Sequence, residues 1–258
     1  MARIPIALEL YSVREDLSKD LRGTLKQVAK MGYEGVEFAG HPEHSPEEYK
    51  AALDEAGLVC CSWHTPIDQV QPDKLAATIA LNKAVGNRSL IIPGLPGEYT
   101  STKEAWLKTA ALFNELTDKL AAEGMFTGYH NHHTEFQPMD GSTPWDIFFG
   151  ATRKEVVTQL DTGNARYGGA DPVSLLEAYP GRAISVHLKP FSSADAKGGA
   201  EKGYEAIIGQ DDSDWEGIFR VCETTGGTQW YIVEYESSAY PPLEAVERCL
   251  KALKGMGK

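Results

Sequence analysis

The chain alternates between amphipathic helical segments and short apolar runs. This unit recurs in KQVAKMGYEGVEF, AALDEAGLVCCSWH, ALNKAVGNRSLII and DKLAAEGMFTGYH. In each unit a glycine stands where the helix must stop, since a residue without Cβ adopts the left-handed cap conformation at no steric cost. These glycines are Gly32, Gly57, Gly86 and Gly124. A helix followed by a strand, repeated in this way, predicts a parallel sheet.

Eight apolar runs have the length of strands. They lie near residues 4–10, 33–38, 58–64, 88–92, 125–131, 156–161, 183–188 and 229–235. Helix starts are marked as well: Ser45 and Glu48 predict a capping box, Ser101 and Glu104 predict a second one, and Asp171 precedes a proline. Eight strands that alternate with helices predict one closed (β/α)8 TIM barrel domain over residues 1–258, which is near the typical length of that fold.

An open doubly wound sheet is the competing fold. Such a sheet usually carries a glycine-rich phosphate loop after its first strand, and ELYSVRED does not resemble GxGxxG. The barrel is therefore preferred. The long polar segment 190–212 stands where a loop between strand and helix is expected, and its length predicts a lid over the site.

Composition narrows the class of partner. With 42% hydrophobic residues the chain can fill one large core, and its formal charge of −12 disfavours nucleic acid as a partner. The first apolar stretch is too short for a signal peptide, and no run reaches the 18 apolar residues of a membrane span. We therefore expect a cytoplasmic protein without a membrane partner. The sequence does not determine the oligomeric state, and a homo-oligomer is possible. The four cysteines show no metal or disulfide spacing.

Polar side chains replace the expected aliphatic residues at the ends of most predicted strands. They are Glu9, Glu37, His64, His130, His132, Asp161, His187, Lys189, Glu234 and Glu236. Taken singly, each is more often a solvated or hydrogen-bonded residue. Burying even a neutral polar group without a partner costs about 2 to 7 kcal/mol, so a set this large indicates pairing or metal binding. Because strand ends meet at the carboxyl rim of a barrel, we expect one site there.

Alternation of side chains along the strands places four of these groups on the inner face. They are His130, Asp161, His187 and Glu234, with His132 as a reserve ligand. A mixture of nitrogen and oxygen ligands suits one Mn²⁺, Co²⁺, Fe²⁺ or Zn²⁺ ion, and suits Mg²⁺ less well. Glu135, which follows this histidine-rich segment, either contacts substrate or caps the loop.

These segments resemble the xylose isomerase-like TIM barrel superfamily, in particular its sugar phosphate isomerase/epimerase group. The resemblance covers nearly the whole chain and rests on ALELYSVRE, GYEGVEF, HNHHTEF, LDTGNARYGGADP, HLK and VEYE. It implies one divalent ion held by Glu, Asp, His and Glu on strands five to eight. Asp161, His187 and Glu234 match that pattern, whereas the first glutamate position falls on His130.

The resemblance also implies chemistry through an enediolate of a small carbohydrate. Glu234 is the expected base, with Lys189 stabilising an oxyanion and His64 holding a hydroxyl. The remaining expected substrate contacts are Glu9, Glu37, His132 and Glu135. In the ketose epimerases of the superfamily both ligand glutamates act as acid and base. The loss of one of them at His130 predicts a reaction that uses one base.

Three functions remain open from the sequence. The leading hypothesis is a metal-dependent sugar isomerase or epimerase. The second is a metal-dependent lyase or dehydratase of a keto-sugar, a keto-glycoside or an inosose. The third is a noncatalytic sugar-binding barrel, which the retention of Lys189 and Glu234 disfavours. An endonuclease would need several metals and a basic surface, and neither is visible in the sequence.

Overall fold

A closed barrel of eight parallel strands forms the centre of the computed structural model, which describes residues 3–258. Each strand pairs with the next along the chain, and the eighth pairs with the first. The strands are β1 (Ile6–Glu9), β2 (Gly35–Ala39), β3 (Val59–His64), β4 (Ser89–Ile92), β5 (Phe126–His130), β6 (Val157–Asp161), β7 (Ser185–Leu188) and β8 (Trp230–Val233). The sequence-based prediction of the barrel and of its strands is confirmed.

Helices surround the barrel. They are α1 (Arg14–Lys19), α2 (Leu21–Met31), α3 (Pro46–Ala56), α4 (Leu75–Ala84), α5 (Gly97–Thr100), α6 (Lys103–Ala121), α7 (Pro144–Ala151), α8 (Thr162–Tyr167), α9 (Pro172–Ala178), α10 (Ala200–Gly203), α11 (Trp215–Thr224) and α12 (Pro242–Gly255). Short 3-10 turns cover Leu10–Val13, Ile67–Val70, Thr134–Phe136 and Asp195–Gly198. Among the described residues, no helix is both long and apolar enough to cross a membrane.

The ends of the helices follow local sequence signals. Gly32 and Gly57 end α2 and α3 with φ of 103° and 70°, as a left-handed cap requires. Ser45 forms the predicted capping box with Glu48. The second predicted box is wrong, because the residue that caps α6 is Thr102, whose Oγ1 accepts from the peptide N–H of Ala105. Ser101 instead ends α5, and its hydroxyl donates a hydrogen bond to the carbonyl oxygen of Gly97 in that helix.

Two different environments lie on the two sides of the sheet. The main apolar core fills the space between strands and helices, with Leu8, Tyr129 and Val186 fully buried in it. Inside the barrel, polar groups replace the usual aliphatic layers. Side-chain alternation puts Gln159 and Asp161 of β6 on the inner face. The barrel interior is therefore polar, whereas the apolar core lies between the strands and the surrounding helices.

The segment 190–212, predicted as a lid, has structure of its own. It contains the turn Asp195–Gly198 and α10, and Phe191, Ile207 and Ile208 are buried. Tyr204 donates its hydroxyl hydrogen to Asn164 Oδ1 of α8 at 2.8 Å. The segment is therefore anchored next to the rim, and its opening and closing stays a prediction.

Candidate active site

Four predicted ligand residues meet at the carboxyl rim. His130, Asp161 and His187 stand at or near the ends of β5, β6 and β7, and Glu234 directly follows β8. Each offers a ligand atom within 4.8 Å of the others, and all four side chains are buried. The strand-end pattern therefore located a compact cluster of nitrogen and oxygen donors.

Asp161 has one carboxylate oxygen that accepts no hydrogen bond from the described residues. Its Oδ1 accepts from the peptide N–H of Asn164 at 2.7 Å, which makes Asp161 the N-cap of α8. Its Oδ2 is buried and lies 3.8 Å from His130 Nε2. Burial raises the pKa of Asp161 to about 7, the charge of Glu234 adds to the rise, and Lys189 opposes it. A cation between these two atoms would satisfy both, so the residues fit a metal ion.

The ring of His187 lies between two carboxylates. Nδ1 is 2.7 Å from Glu234 Oε2, and Nε2 is 2.6 Å from Glu37 Oε2. Although burial acts to lower it, the pKa of His187 is raised well above its usual range by these carboxylates, so the ring is an imidazolium here. Burial likewise opposes the ionisation of Glu37, but the charges of His64 and His187 lower its pKa to about 2. In a metal-loaded site Glu37 would keep the Nε2 proton and orient the ring, as carboxylates beside ligand histidines do.

Lys189 is surrounded by acids. Its Nζ is 3.2 Å from Glu234 Oε1, contacts Glu236 at the rim, and lies 3.8 Å from Asp161 Oδ2. Burial acts to lower its pKa, but the three carboxylates raise it well above its usual value. The side chain is therefore an ammonium group with donors directed at the cluster. This position is consistent with the oxyanion role predicted for it.

Gln159 links the cluster from the barrel interior, and it was not among the residues predicted for the site. Its Nε2 donates to Glu37 Oε1 at 2.9 Å and to Ser185 Oγ at 3.0 Å. Its Oε1 lies 2.7 Å from His64 Nε2 and 3.2 Å from His130 Nδ1. The available signal was its position two residues before Asp161, which puts both side chains on the inner face of β6.

Two residues predicted to contact substrate are fully buried in the protein interior. Glu9 and Glu37 have no exposed area. Glu9 Oε1 accepts from the peptide N–H of Tyr11, while Oε2 has no hydrogen-bond partner among the described residues. Burial and the charge of Glu37 raise the pKa of Glu9 well above its usual value, which favours its neutral form. In this structure both residues contact the protein interior, and their contact with substrate stays a prediction.

The loop after β5 separates two further candidates. Glu135 accepts from Tyr129 Oη at 2.8 Å, from the peptide N–H of His132 at 2.8 Å, and from the Thr134 hydroxyl. These bonds match the loop-capping alternative for Glu135. His132 lies beyond the end of β5 with an exposed ring and is absent from the donor cluster, so the structure does not favour it as the reserve ligand.

A cavity of about 610 Å³ opens onto the cluster. Its polar floor includes His64, His130 and Glu234, and prolines of the loops after β3 and β4, such as Pro66 and Pro93, form an apolar wall. Glu236 and His132 stand at its edge. A volume of this order suits a small-molecule ligand. The chamber therefore has room for a small molecule beside the donor cluster.

Comparisons with known proteins agree with this architecture. Residues 25–256 match the family model described as xylose isomerase-like TIM barrel. A curated relative from Clostridium botulinum, inosose dehydratase, is 25% identical over 265 residues, covering 89% of this chain and 88% of its own. A solved sugar phosphate isomerase/epimerase from Parabacteroides distasonis has a TM-score of 0.82 at 24% identity and covers 98% of each chain. The IolI protein, solved with a bound zinc atom, has a TM-score of 0.74 at 14% identity, covering 98% of this chain and 97% of its own.

Proposed function

The chain belongs to the xylose isomerase-like TIM barrel family, and we propose that it is a divalent-metal-dependent carbohydrate lyase that dehydrates a keto-sugar or inosose. The relative from Clostridium botulinum, which is matched over most of its length, is named inosose dehydratase. The observation that carries the proposal is the donor cluster, in which the carboxylate of Glu234 also lines the chamber.

The ion would be held by His130, Asp161, His187 and Glu234. The unsatisfied Oδ2 of Asp161 and the mixed donor set support Mn²⁺, Co²⁺, Fe²⁺ or Zn²⁺ over Mg²⁺. When bound, it would act as a Lewis acid on substrate oxygens and so acidify a C–H bond beside a carbonyl. The zinc atom in the structure of the IolI protein is consistent with this assignment.

Glu234 is positioned to accept the carbon-bound proton. Although burial acts to raise it, the pKa of Glu234 is held well below its usual value by Lys189 and His187, so the carboxylate is ionised. Asp161 is also a carboxylate of the cluster, but it has no exposed area, whereas Glu234 lines the chamber. Lys189 would stabilise the negative charge that develops on the substrate oxygen. His64, on the chamber floor, would hold a substrate hydroxyl.

Elimination balances with this set of groups. Glu234 takes the α proton, the C–H electron pair forms a carbon–carbon double bond, and the bond to the β-hydroxyl breaks. The leaving hydroxide takes a proton from Lys189 and departs as water. The position that holds a second glutamate in two-base epimerases is occupied here by His130, whose Nε2 faces Asp161. Of the two carboxylates in the cluster, only Glu234 lines the chamber, which supports a reaction that uses one base.

Isomerisation on one face is the second candidate. Glu234 could return the same proton to the neighbouring carbon, and this would need no leaving group. The single chamber-lining carboxylate of the cluster is compatible with such a shuttle. The solved relative from Parabacteroides distasonis is named as an isomerase/epimerase.

Product analysis tests the proposal. Purified protein would be incubated with keto-sugars and inososes in D₂O, and dehydrated and isomerised products would be measured by mass spectrometry and NMR. We expect dehydrated product, and we expect Glu234→Gln to lower turnover about 10² to 10⁴-fold. Metal content, measured in the same preparation, separates loss of the base from loss of the ion. Formation of a C3 epimer with full deuterium incorporation, abolished equally by His130→Ala and Glu234→Gln with metal retained, would contradict a one-base reaction.

A further inference from the structure

Gln159 is in contact with both histidines of the chamber floor. Its side chain is fully buried and does not line the chamber. The amide nitrogen Nε2 donates to Glu37 and Ser185, and the amide oxygen Oε1 faces the rings of His64 and His130. A buried amide that makes four contacts is held in one orientation, because any rotation would leave polar atoms unpaired.

Glu37 decides that orientation. An ionised carboxylate can only accept hydrogen bonds, so the atom of Gln159 that lies 2.9 Å from Glu37 Oε1 must be the donating NH₂ group. The second hydrogen of this group is directed at Ser185 Oγ, 3.0 Å away. The carbonyl oxygen Oε1 must then face the two rings, and it can only accept.

We infer that Gln159 fixes the tautomers of His130 and His64. Because Oε1 only accepts, His130 must carry its proton on Nδ1 and His64 on Nε2. The rings lie with centroids 4.6 Å apart, so one amide oxygen reaches both.

The tautomers determine where the lone pairs point. The free Nε2 of His130 faces Asp161 Oδ2 at 3.8 Å, which is the position that the proposed ion would occupy. The free Nδ1 of His64 faces Glu9 Oε2 at 3.9 Å. The opposite tautomer of His130 would put an N–H where a ligand lone pair is needed. Gln159 is thus a positioning residue, which acts through the histidines and touches neither substrate nor ion.

The inference rests on the proposed metal site for its functional meaning, but its test begins without metal. Long-range ¹H–¹⁵N NMR spectra of the metal-free protein report which ring nitrogen of each histidine is protonated. We expect Nδ1–H for His130 and Nε2–H for His64 in the wild type, with assignments from His130→Asn and His64→Asn. His132 has an exposed ring and no contact with Gln159, so it serves as an internal reference.

Two variants extend the test. Gln159→Met removes the acceptor, and we expect mixed tautomers for His130, whereas Nε2 of His64 keeps Glu37 Oε2 at 3.5 Å as a second acceptor. We also expect a metal Kd about 10 to 100-fold weaker, as is typical when a partner of a ligand is lost. Ser185→Ala is the matched control. It removes one acceptor of the Gln159 amide but leaves Oε1 in place, so tautomers and Kd should stay at their wild-type values.

Three results separate the inference from the proposed function. Nε2–H on His130 in the wild type would overturn the inference without any variant, and so would Gln159→Met with wild-type tautomers and metal affinity. Equal loss of tautomer order in Ser185→Ala would overturn it as well, since that would point to a general loosening of the interior. The expected tautomers in a wild-type protein that binds none of Mn²⁺, Co²⁺, Fe²⁺ and Zn²⁺ would instead reject the metal site and leave the role of Gln159 intact.

Discussion

Asp161 combines three tasks in one side chain. It ends β6, caps α8 through Oδ1, and directs Oδ2 at the donor cluster. The carboxylate accepts from the peptide N–H of Asn164, and the peptide N–H of Asp161 donates to Asn131 Oδ1 at 2.8 Å. The free oxygen therefore has little freedom to move away from the position where an ion would bind.

The raised pKa of Asp161 predicts a pH effect on the metal-free protein. Its pKa moves from 3.8 to about 7 on folding, so between these values the native state keeps a proton that the unfolded chain has released. The free energy of unfolding of the wild type, relative to Asp161→Asn, should therefore fall as pH rises, by up to about 1.4 kcal/mol per unit. The fall should end above pH 7. Urea denaturation in the presence of a chelator measures this difference.

Asp68→Asn is a control with the opposite sign. The hydrogen bond from Lys74 holds the pKa of the exposed Asp68 below its usual value, so the stability that this pair contributes is present at neutral pH and lost in acid. The difference between wild type and Asp68→Asn should rise with pH. If the free energy of unfolding of the wild type, relative to Asp161→Asn, does not change from pH 4 to pH 7, then Asp161 is ionised throughout that range.

For single residues, the sequence identified the reactive groups but not their hydrogen-bond partners. Asp161, His187 and Glu234 could be found because a polar residue at the end of an apolar strand is a local anomaly. Gln159 and Asn131 could not be assigned, because their roles depend on hydrogen bonds to residues far away in the chain, such as Glu37. Glu9 and Glu37 were placed on the correct strands, but their depth below the chamber is set by the packing of the whole barrel.

Among the elements, helix ends were easier to predict than loop roles. Gly32 and Gly57 act as caps because their conformations are decided by local sterics. The choice between Ser101 and Thr102 was missed because both carry a hydroxyl. Only the extended backbone of Thr102, with φ of −141°, decides which one caps α6.

β5 contains a glycine that is required by close packing inside the barrel. A Cβ at Gly128 would lie 2.5 Å from the carbonyl oxygen of Val157 and 2.9 Å from Ile91 Cδ1, which is closer than real contacts allow. We predict that Gly128→Ala destabilises the protein by about 1 to 3 kcal/mol in urea denaturation.

Gly150 provides the matched control for that prediction. It lies within α7, and an added Cβ would meet nothing within 4 Å. Gly150→Ala should therefore leave stability unchanged or raise it by up to about 1 kcal/mol, because alanine favours the helix. A Gly128→Ala protein as stable as the Gly150→Ala protein would show that β5 and β6 can separate to make room.

For the whole molecule, the donor cluster connects strands that are distant in sequence. His130 ends β5 and Glu234 follows β8, and β8 also closes the barrel against β1. An ion bound only by the native state stabilises it by mass action, by about 2.7 kcal/mol at 100 times its Kd. For a chain of this size we predict a rise in Tm of roughly 5 to 10 °C on adding Mn²⁺ or Zn²⁺.

Asp161→Ala tests the origin of that rise. It removes one ligand and should abolish both the metal-dependent increase in Tm and most of the bound metal, measured by calorimetry and elemental analysis. Asp68→Asn, which removes an exposed carboxylate outside the cluster, should keep both. An unchanged metal content in Asp161→Ala would reject the assignment of the site.

The fold as a whole was the most predictable level. Strand and helix alternate throughout the chain, and each unit carries its own stop signals, so topology follows from local pattern and length. The segment 190–212 was recognised only as an unusually long connection. Its anchoring through Tyr204 to Asn164 depends on side chains that no periodic pattern marks.

The imidazolium of His187 has a consequence for the site without a bound ion. Its positive charge lies between the ionised carboxylates of Glu37 and Glu234, and Lys189 also pairs with Glu234, so these buried charges balance one another. Binding of the proposed ion would then be an exchange, in which the cation replaces a proton on a ring that already stands between its carboxylate partners, and protons would be released to the solvent.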